Sequence, residues 1–408
     1  MTWREKQVQY PSVFFEGNKD KSVAKRKAIA IEVKSRVRCD EGRASLAVAP
    51  EPDAVFCSNA VKVTAPARID LSGGWSDTPP ICYDRGGTVL VVGVTLEGVQ
   101  PIEAIVKRRA QSGVLVRSKD LKKRRVLKTD SEIADHSDPH DWCALVKAAL
   151  TVTGYEVKTG GLEIVLSSGL PKGSGMGTSS ILGACTVAAL DCIAGRKFDV
   201  QRVMELTLRL EQEMNTGGGW EDQMGALLPG IKILRTKPGK EQRPEWETIK
   251  DTDPFAALLK ERGLLYFTGE KRMARNVLRG VIANYKADGE EGKERVAALR
   301  DGAERCFKAI KSRDWERFAA CVNEYWMLKK AMDPGSTNER IEYIIARISP
   351  WTSAVTIAGA GGGGFVFILA KSAEAKRKIV KSLNRRPPVK WAKFYDFDVD
   401  VKGLTFHV

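Results

Sequence analysis

Apolar residues at Leu162, Ile164, Val165 and Leu166 run into Pro-Lys-Gly-Ser-Gly-Met-Gly-Thr-Ser-Ser at 171–180, and Ile181, Leu182, Ala184, Val187, Ala188 and Leu190 follow. The first run reads as a strand and the last as a buried helix, apolar over most of its surface. Upstream, 86–96 and 102–106 have the pattern of strands and 142–153 that of a helix. Val203, Leu206 and Leu210 share one face of a predicted helix over 200–214. Downstream, a strand at 264–267 leads into long helical stretches that continue to Lys330. Ser336-Thr337-Asn338-Glu339 reads as a capping box opening a helix with Ile341, Ile344, Ile345 and Ile348 on one face. Strands at 355–358 and 365–369 flank a glycine tract at 359–364. Tyr395, Phe397, Val399 and Val401 alternate with Asp396, Asp398 and Asp400, which predicts one half-buried strand. Helices on one face of an antiparallel sheet, twice over, make an α+β chain.

The 408 residues suffice for two domains with their own cores. Residues 1–55 are lysine-rich and weakly periodic, a basic extension; a polar, proline-bearing stretch at 236–253 separates predicted domains at 56–253 and 254–408. Composition is that of a globular protein, 43% hydrophobic and 29% charged. The chain starts Met-Thr-Trp-Arg-Glu-Lys without an apolar leader, and no apolar run approaches the length of a membrane span. A cytoplasmic protein without membrane contact is expected. Eight cysteines with no Cys-x-x-Cys pair point to free thiols in a reducing compartment. The net charge of +15 concentrates between Lys107 and Lys128, where ten basic residues face one acid, Asp120. No aromatic stands within this stretch and Trp391 alone within a second basic cluster at 376–393, so both read as solvated faces rather than nucleic-acid sites.

Candidate chemistry starts at the glycine loop. Gly173, Gly175 and Gly177 let backbone N–H groups converge on an anion, and Thr178, Ser179 and Ser180 open a helix whose N-terminus favours negative charge. A Walker loop needs a lysine before the hydroxyl residue, and a Rossmann fingerprint needs its last two glycines three apart; neither fits. Three further blocks stand out. Arg68-Ile69-Asp70-Leu71-Ser72-Gly73-Gly74-Trp75-Ser76-Asp77-Thr78 reads either as a small polar pocket suited to sugar hydroxyls or as a turn around a buried tryptophan. Glu211 at a helix end and Asp222 after Gly217-Gly218-Gly219-Trp220 could converge, one carboxylate for Mg²⁺ and one beside a substrate hydroxyl. The tract 359–364 permits close approach of another group, or is a hairpin tip. His136 and His140 are separated by Ser-Asp-Pro, a poor helical metal pair.

In this order the blocks resemble the GHMP small-molecule kinases, and within them the kinase portion of the L-fucokinases, from about Ala65 to the end. Phe267-Thr268-Gly269 with Arg272 and Arg275, and Tyr325-Trp326 with Lys329-Lys330, extend the likeness. The resemblance implies an N-terminal nucleotide-loop domain and a ferredoxin-like C-terminal α+β domain, with the active site in the cleft between them. It implies ATP held by Pro171, Lys172, Gly173, Ser174, Gly175, Met176, Gly177, Thr178, Ser179 and Ser180, and Mg²⁺ held by Ser179 and Glu211. Asp222 would be the base and Arg68 its basic partner; Gly74, Trp75, Asp77, Thr78, Gly218, Gly219, Gly361 and Gly362 would line the sugar. The implied reaction is ATP-dependent phosphorylation of the anomeric hydroxyl of L-fucose. Lys172, Met176 and Glu221 depart from the usual pattern, and a second acid at Glu221 bears on the proton affinity of Asp222 or on sugar choice. A heptose-7-phosphate kinase and a non-catalytic sugar sensor of the same fold are the alternatives.

Overall fold

The computed structural model describes residues 59–407 except Pro139, Asn215 and 271–273. The basic extension over 1–55, Arg272 and the Arg275 side chain lie outside the described residues. The chain forms β1 (Ala60–Ala65), β2 (Ala67–Ser72), α1 (Ile81–Arg85), β3 (Thr88–Leu96), β4 (Ile102–Arg109), β5 (Val114–Ser118) and β6 (Lys123–Leu127). Next come α2 (Asp130–Ala134), α3 (Ala144–Thr153), β7 (Gly161–Ser168), α4 (Thr178–Ile193), α5 (Val200–Glu213) and α6 (Glu221–Leu227). β8 (Ile231–Arg235), β9 (Glu245–Thr248), α7 (Asp253–Arg262), β10 (Gly263–Phe267), α8 (Ala274–Ala287), α9 (Gly289–Lys311) and α10 (Trp315–Met332) follow. α11 (Glu339–Ile348), β11 (Thr352–Ile357), β12 (Phe365–Ala370), α12 (Ala373–Arg385), β13 (Lys393–Tyr395), β14 (Phe397–Val399) and β15 (Thr405–His407) complete the described chain.

These strands make three sheets: β15-β1-β4-β7-β5-β6, then β14-β3-β8-β9 with β2 also paired to β3, and β11-β12-β10-β13. α4 is buried along nearly its whole length because it lies on β1 and β4 with α3 and α5 against its sides. That is why its sequence shows no polar face. α9 packs over β2 and β3, and α10 joins it to β11. Ile341, Ile344 and Ile348 of α11 and Ile379 and Leu383 of α12 meet the face of the four-stranded sheet formed by Leu264, Val366 and Ile368. The cationic stretch lies on β4, on β5 and on the sheet's edge strand β6, whose Lys123, Arg124 and Arg125 are exposed. Charge there discourages edge-to-edge pairing.

Three sequence expectations change. The alternation at 395–401 predicts one strand, but β13 pairs with β10 and β14 with β3, so the chain passes between sheets at Asp396. A period of two reports which side faces the core and says nothing about the partner strand. The polar stretch 236–253 contains β9, which extends the sheet beyond β8. α11 is capped by Asn338, whose Oδ1 accepts the Ile341 N–H at 3.0 Å, whereas Ser336 is buried in a 3₁₀ turn. Among the described residues no helix is long and apolar enough to cross a membrane, and the six described cysteines form no disulfide.

The final strand pairs with the first, with Phe406 opposite Val63 and its ring 5.4 Å from that of Phe198. Phe406→Ala is expected to cost about 3–5 kcal/mol in urea denaturation. A loss below about 1 kcal/mol would show that β15 is dispensable to the sheet.

Candidate active site

The loop between β7 and α4 turns on three left-handed glycines, Gly173, Gly175 and Gly177, with φ of 74°, 77° and 72°. Gly177 is also the N-cap of α4, so the loop delivers its backbone to a helix N-terminus. The second glycine tract braces this loop. A Cβ at Gly175 would collide with the Ala358 carbonyl, and one at Gly359 with the Gly175 carbonyl. The Phe365 N–H donates to Ser174 O at 3.1 Å, and Ser174 Oγ pairs with Thr178 Oγ1 at 3.0 Å. Met176 is fully buried, Lys172 is exposed, and Pro171 is half-buried. Gly361 and Gly362 pack against the segment after α10. Both are buried beside the 3₁₀ turn, where the Gly362 N–H donates to Ser336 O at 2.5 Å and its carbonyl accepts from Asn338 at 3.1 Å.

Arg68 links this loop to the acidic helix α6. On β2, with its side chain 3% exposed, it donates from Nε to Asp222 Oδ1 at 2.7 Å and from Nη2 to the same oxygen. Nη1 donates to Gly175 O at 2.7 Å and Asp70 Oδ1 at 3.3 Å, while Nη2 lies 3.1 Å from Glu221 Oε1. Burial works against this cation, but Asp222, Glu221 and Asp70 hold it charged above its ordinary value. Asp70 in turn accepts from Tyr325 at 2.5 Å, Lys329 at 2.7 Å and the Gly359 N–H at 2.6 Å. Burial opposes its charge as well, yet Lys329 and Arg68 keep its carboxyl below the usual range. Glu221 is different. Burial raises its proton affinity well above normal despite Arg68, and its Oε2 has no partner.

Glu211, in the last turn of α5, lies in the same cluster, joined by Ser180, which donates to Glu211 Oε1 and lies 3.2 Å from Asp222 Oδ2. The expectation that Ser179 shares a metal with Glu211 changes here. Successive residues on a helix point about 100° apart, and the structure turns Ser180 to Glu211 while Ser179 is exposed. Burial and the neighbouring Asp222 push Glu211 up to about 8, and its buried Oε2 has no partner. No group of three or more His, Cys, Asp or Glu among the described residues could hold a metal by itself. Mg²⁺ in phosphoryl transfer commonly takes one or two carboxylates and fills its shell with phosphate and water. The orphaned Glu211 oxygen, with Ser180 as a further hard donor, fits that ion.

The residues read as sugar-lining are mostly interior. Trp75 packs with Ile81, Val277 and Tyr285, and its Nε1 has no partner. Gly74 lies under the Tyr325 hydroxyl. Asp77 and Thr78 are 2% and 3% exposed, and Asp77 Oδ2 accepts the Glu221 N–H at 3.0 Å. Gly218 abuts the Glu211 carboxylate and Gly219 that of Asp77, each leaving no room for a Cβ. Asp222 remains the accessible acid, its side chain 25% exposed against 11% for Glu221. The sequence reading missed Asp70, although it stands two residues from Arg68 and so on the same face of one strand.

The model of the GHMP kinases N terminal domain matches residues 144–230, and that of the GHMP kinases C terminal domain matches 306–389. The chain is 35% identical over 354 residues to a bifunctional fucokinase/GDP-fucose pyrophosphorylase of Arabidopsis thaliana, covering 86% of this chain. It is 31% identical over 366 residues to an L-fucokinase/L-fucose-1-P guanylyltransferase of Bacteroides fragilis, again covering 86% of this chain. It spans only 33% and 39% of those two proteins. Lactococcus lactis galactokinase, solved with galactose, shares the fold at a TM-score of 0.67 and 15% identity, over 85% of this chain and 95% of that one. Both domain models match in order, so the chain carries the N-terminal and C-terminal domains of the GHMP kinases and shares their two-domain fold.

Proposed function

We propose that the chain is an ATP-dependent sugar 1-kinase that phosphorylates the anomeric hydroxyl of L-fucose, giving fucose 1-phosphate and ADP. The observation that carries this reading is the Asp222 carboxylate, partly exposed and held by Arg68 beside the glycine loop at the N-terminus of α4. The two curated relatives, whose names both include fucokinase, supply the sugar class.

In the proposed reaction the anomeric oxygen bonds to the γ-phosphorus of ATP, the bond from that phosphorus to the ADP oxygen breaks, and Asp222 accepts the hydroxyl proton. An anomeric hydroxyl is more acidic than an ordinary alcohol, so a carboxylate is an adequate base. Positioning and charge neutralisation supply most of the remaining catalysis. Arg68 orients Asp222 and adds fixed positive charge, while the 173–177 backbone and the α4 N-terminus receive the phosphates. Thr178 and Ser179, in the first turn of α4, add hydroxyl donors there. Glu211 and Ser180 would hold Mg²⁺, which when bound offsets the charge on the phosphate oxygens.

An ADP-release assay across L-fucose, D-arabinose, D-galactose, D-mannose and a heptose 7-phosphate tests the reading. L-Fucose is expected to give the highest kcat/KM; preference for the heptose phosphate, or no turnover at all, would overturn it. Asp222→Asn is expected to keep ATP binding while kcat falls at least about 10³-fold, within the range for loss of a general base. Retained turnover would remove Asp222 from that role. Glu211→Gln is expected to raise the Mg²⁺ concentration for half-maximal activity about tenfold or more; an unchanged requirement would place the cation elsewhere.

A further inference from the structure

α6 is seven residues long, and its first turn carries Glu221 and Asp222. So short a helix is marginal alone. Two buried ionisable side chains from other parts of the chain grip its two ends. At the N-terminal end Asp77, in the turn after β2, accepts the Glu221 N–H at 3.0 Å. At the C-terminal end Lys232 on β8, fully buried, donates from Nζ to Gly225 O at 2.7 Å and Leu228 O at 2.6 Å. Both satisfy backbone groups that a helix terminus leaves unpaired. Burial pushes the Asp77 carboxyl up to about 7, and in either protonation state it keeps an acceptor oxygen for the Glu221 N–H.

The surroundings are shaped to admit both side chains. A Cβ at Gly219 would collide with the Asp77 carboxylate, and one at Gly93 would lie 3.4 Å from both Lys232 Nζ and Gly225 O. Burial lowers the Lys232 ammonium to about 7, with the Asp400 charge pulling the other way. Even a neutral amine keeps two N–H donors, enough for the two carbonyls. We propose that Asp77 and Lys232 are positioning residues that clamp α6 from both ends and so hold Asp222 against Arg68. The kinetic consequence rests on the role proposed above for Asp222. For Asp77 this assigns a task different from lining the sugar.

Hydrogen exchange of α6 by mass spectrometry, with steady-state kinetics on ATP and L-fucose, tests the clamp in Lys232→Met, Asp77→Ala and Asp77→Asn. Asparagine keeps an acceptor oxygen for the Glu221 N–H, whereas alanine does not. Lys232→Met and Asp77→Ala are expected to speed exchange of the 224–228 amides about tenfold or more. Their kcat should fall about 10–100-fold with both KM values nearly unchanged, and Asp77→Asn should stay close to wild type in both readouts. Unchanged α6 exchange in Lys232→Met would overturn the proposal. So would an Asp77→Asn protein that loses sugar affinity as fully as Asp77→Ala, since that marks a sugar-binding acid. If Lys232→Met does not fold, the two Asp77 variants decide. If the wild type phosphorylates none of the sugars, the kinase reading fails while the exchange data still judge the clamp.

Discussion

The buried guanidinium of Arg68 is the contact on which the rest of the site depends. One planar group reaches Asp222 on α6, Asp70 on its own strand and the Gly175 carbonyl of the glycine loop. A guanidinium has five donors in a fixed plane, so it can tie three segments together in a set geometry where an ammonium would act as a point charge. Removing a charge of this kind from water is expensive unless it is fully paired. Here the pairing continues outward through Asp70 to Tyr325 and Lys329 on α10, so the helices of the second half contribute to holding a residue of the first.

The backbone makes the same connection between distant segments. Gly175 and Gly359 approach so closely that neither tolerates a Cβ, and Ser174 pairs with Phe365 across the two loops. The glycine tract at 359–364 is therefore the brace behind the glycine loop, not a free hairpin tip. That arrangement places Asp222 where the loop delivers backbone N–H groups to α4, and leaves it more accessible than any neighbouring acid of known exposure in the cluster. Glu211 and Glu221 are held in drier surroundings that favour their protonated forms, so less negative charge competes for Arg68 than the number of acids suggests.

Local pattern carried much of this into the sequence. The strand before 171, the buried helix after 177 and the helix ending near Glu211 are all visible from periodicity, and the structure places them at β7, α4 and α5. Convergence of Glu211 with Asp222 was legible too, because a helix end and a glycine loop bring the chain back on itself. The choice between Ser179 and Ser180 was not, since the phase of a helix depends on where its first turn starts and on which neighbour it packs against. The backbone partner of Asp77 was hidden for a related reason. An acid beside a tryptophan in a glycine-rich turn suits a sugar, yet it lies beneath α6 as a backbone acceptor.

The sequence alone determined the α+β class, the positions of the glycine loops and the acidic residues that stand near them. Those follow from interactions within a few residues: hydrophobic period, helix capping and the backbone freedom of glycine. Only the tertiary structure decided which strands pair at 393–407, which serine faces Glu211, and that Asp70 and Lys329 stand behind Arg68. Those depend on contacts between residues far apart in the chain, for which a single sequence holds the side chains but not their neighbours.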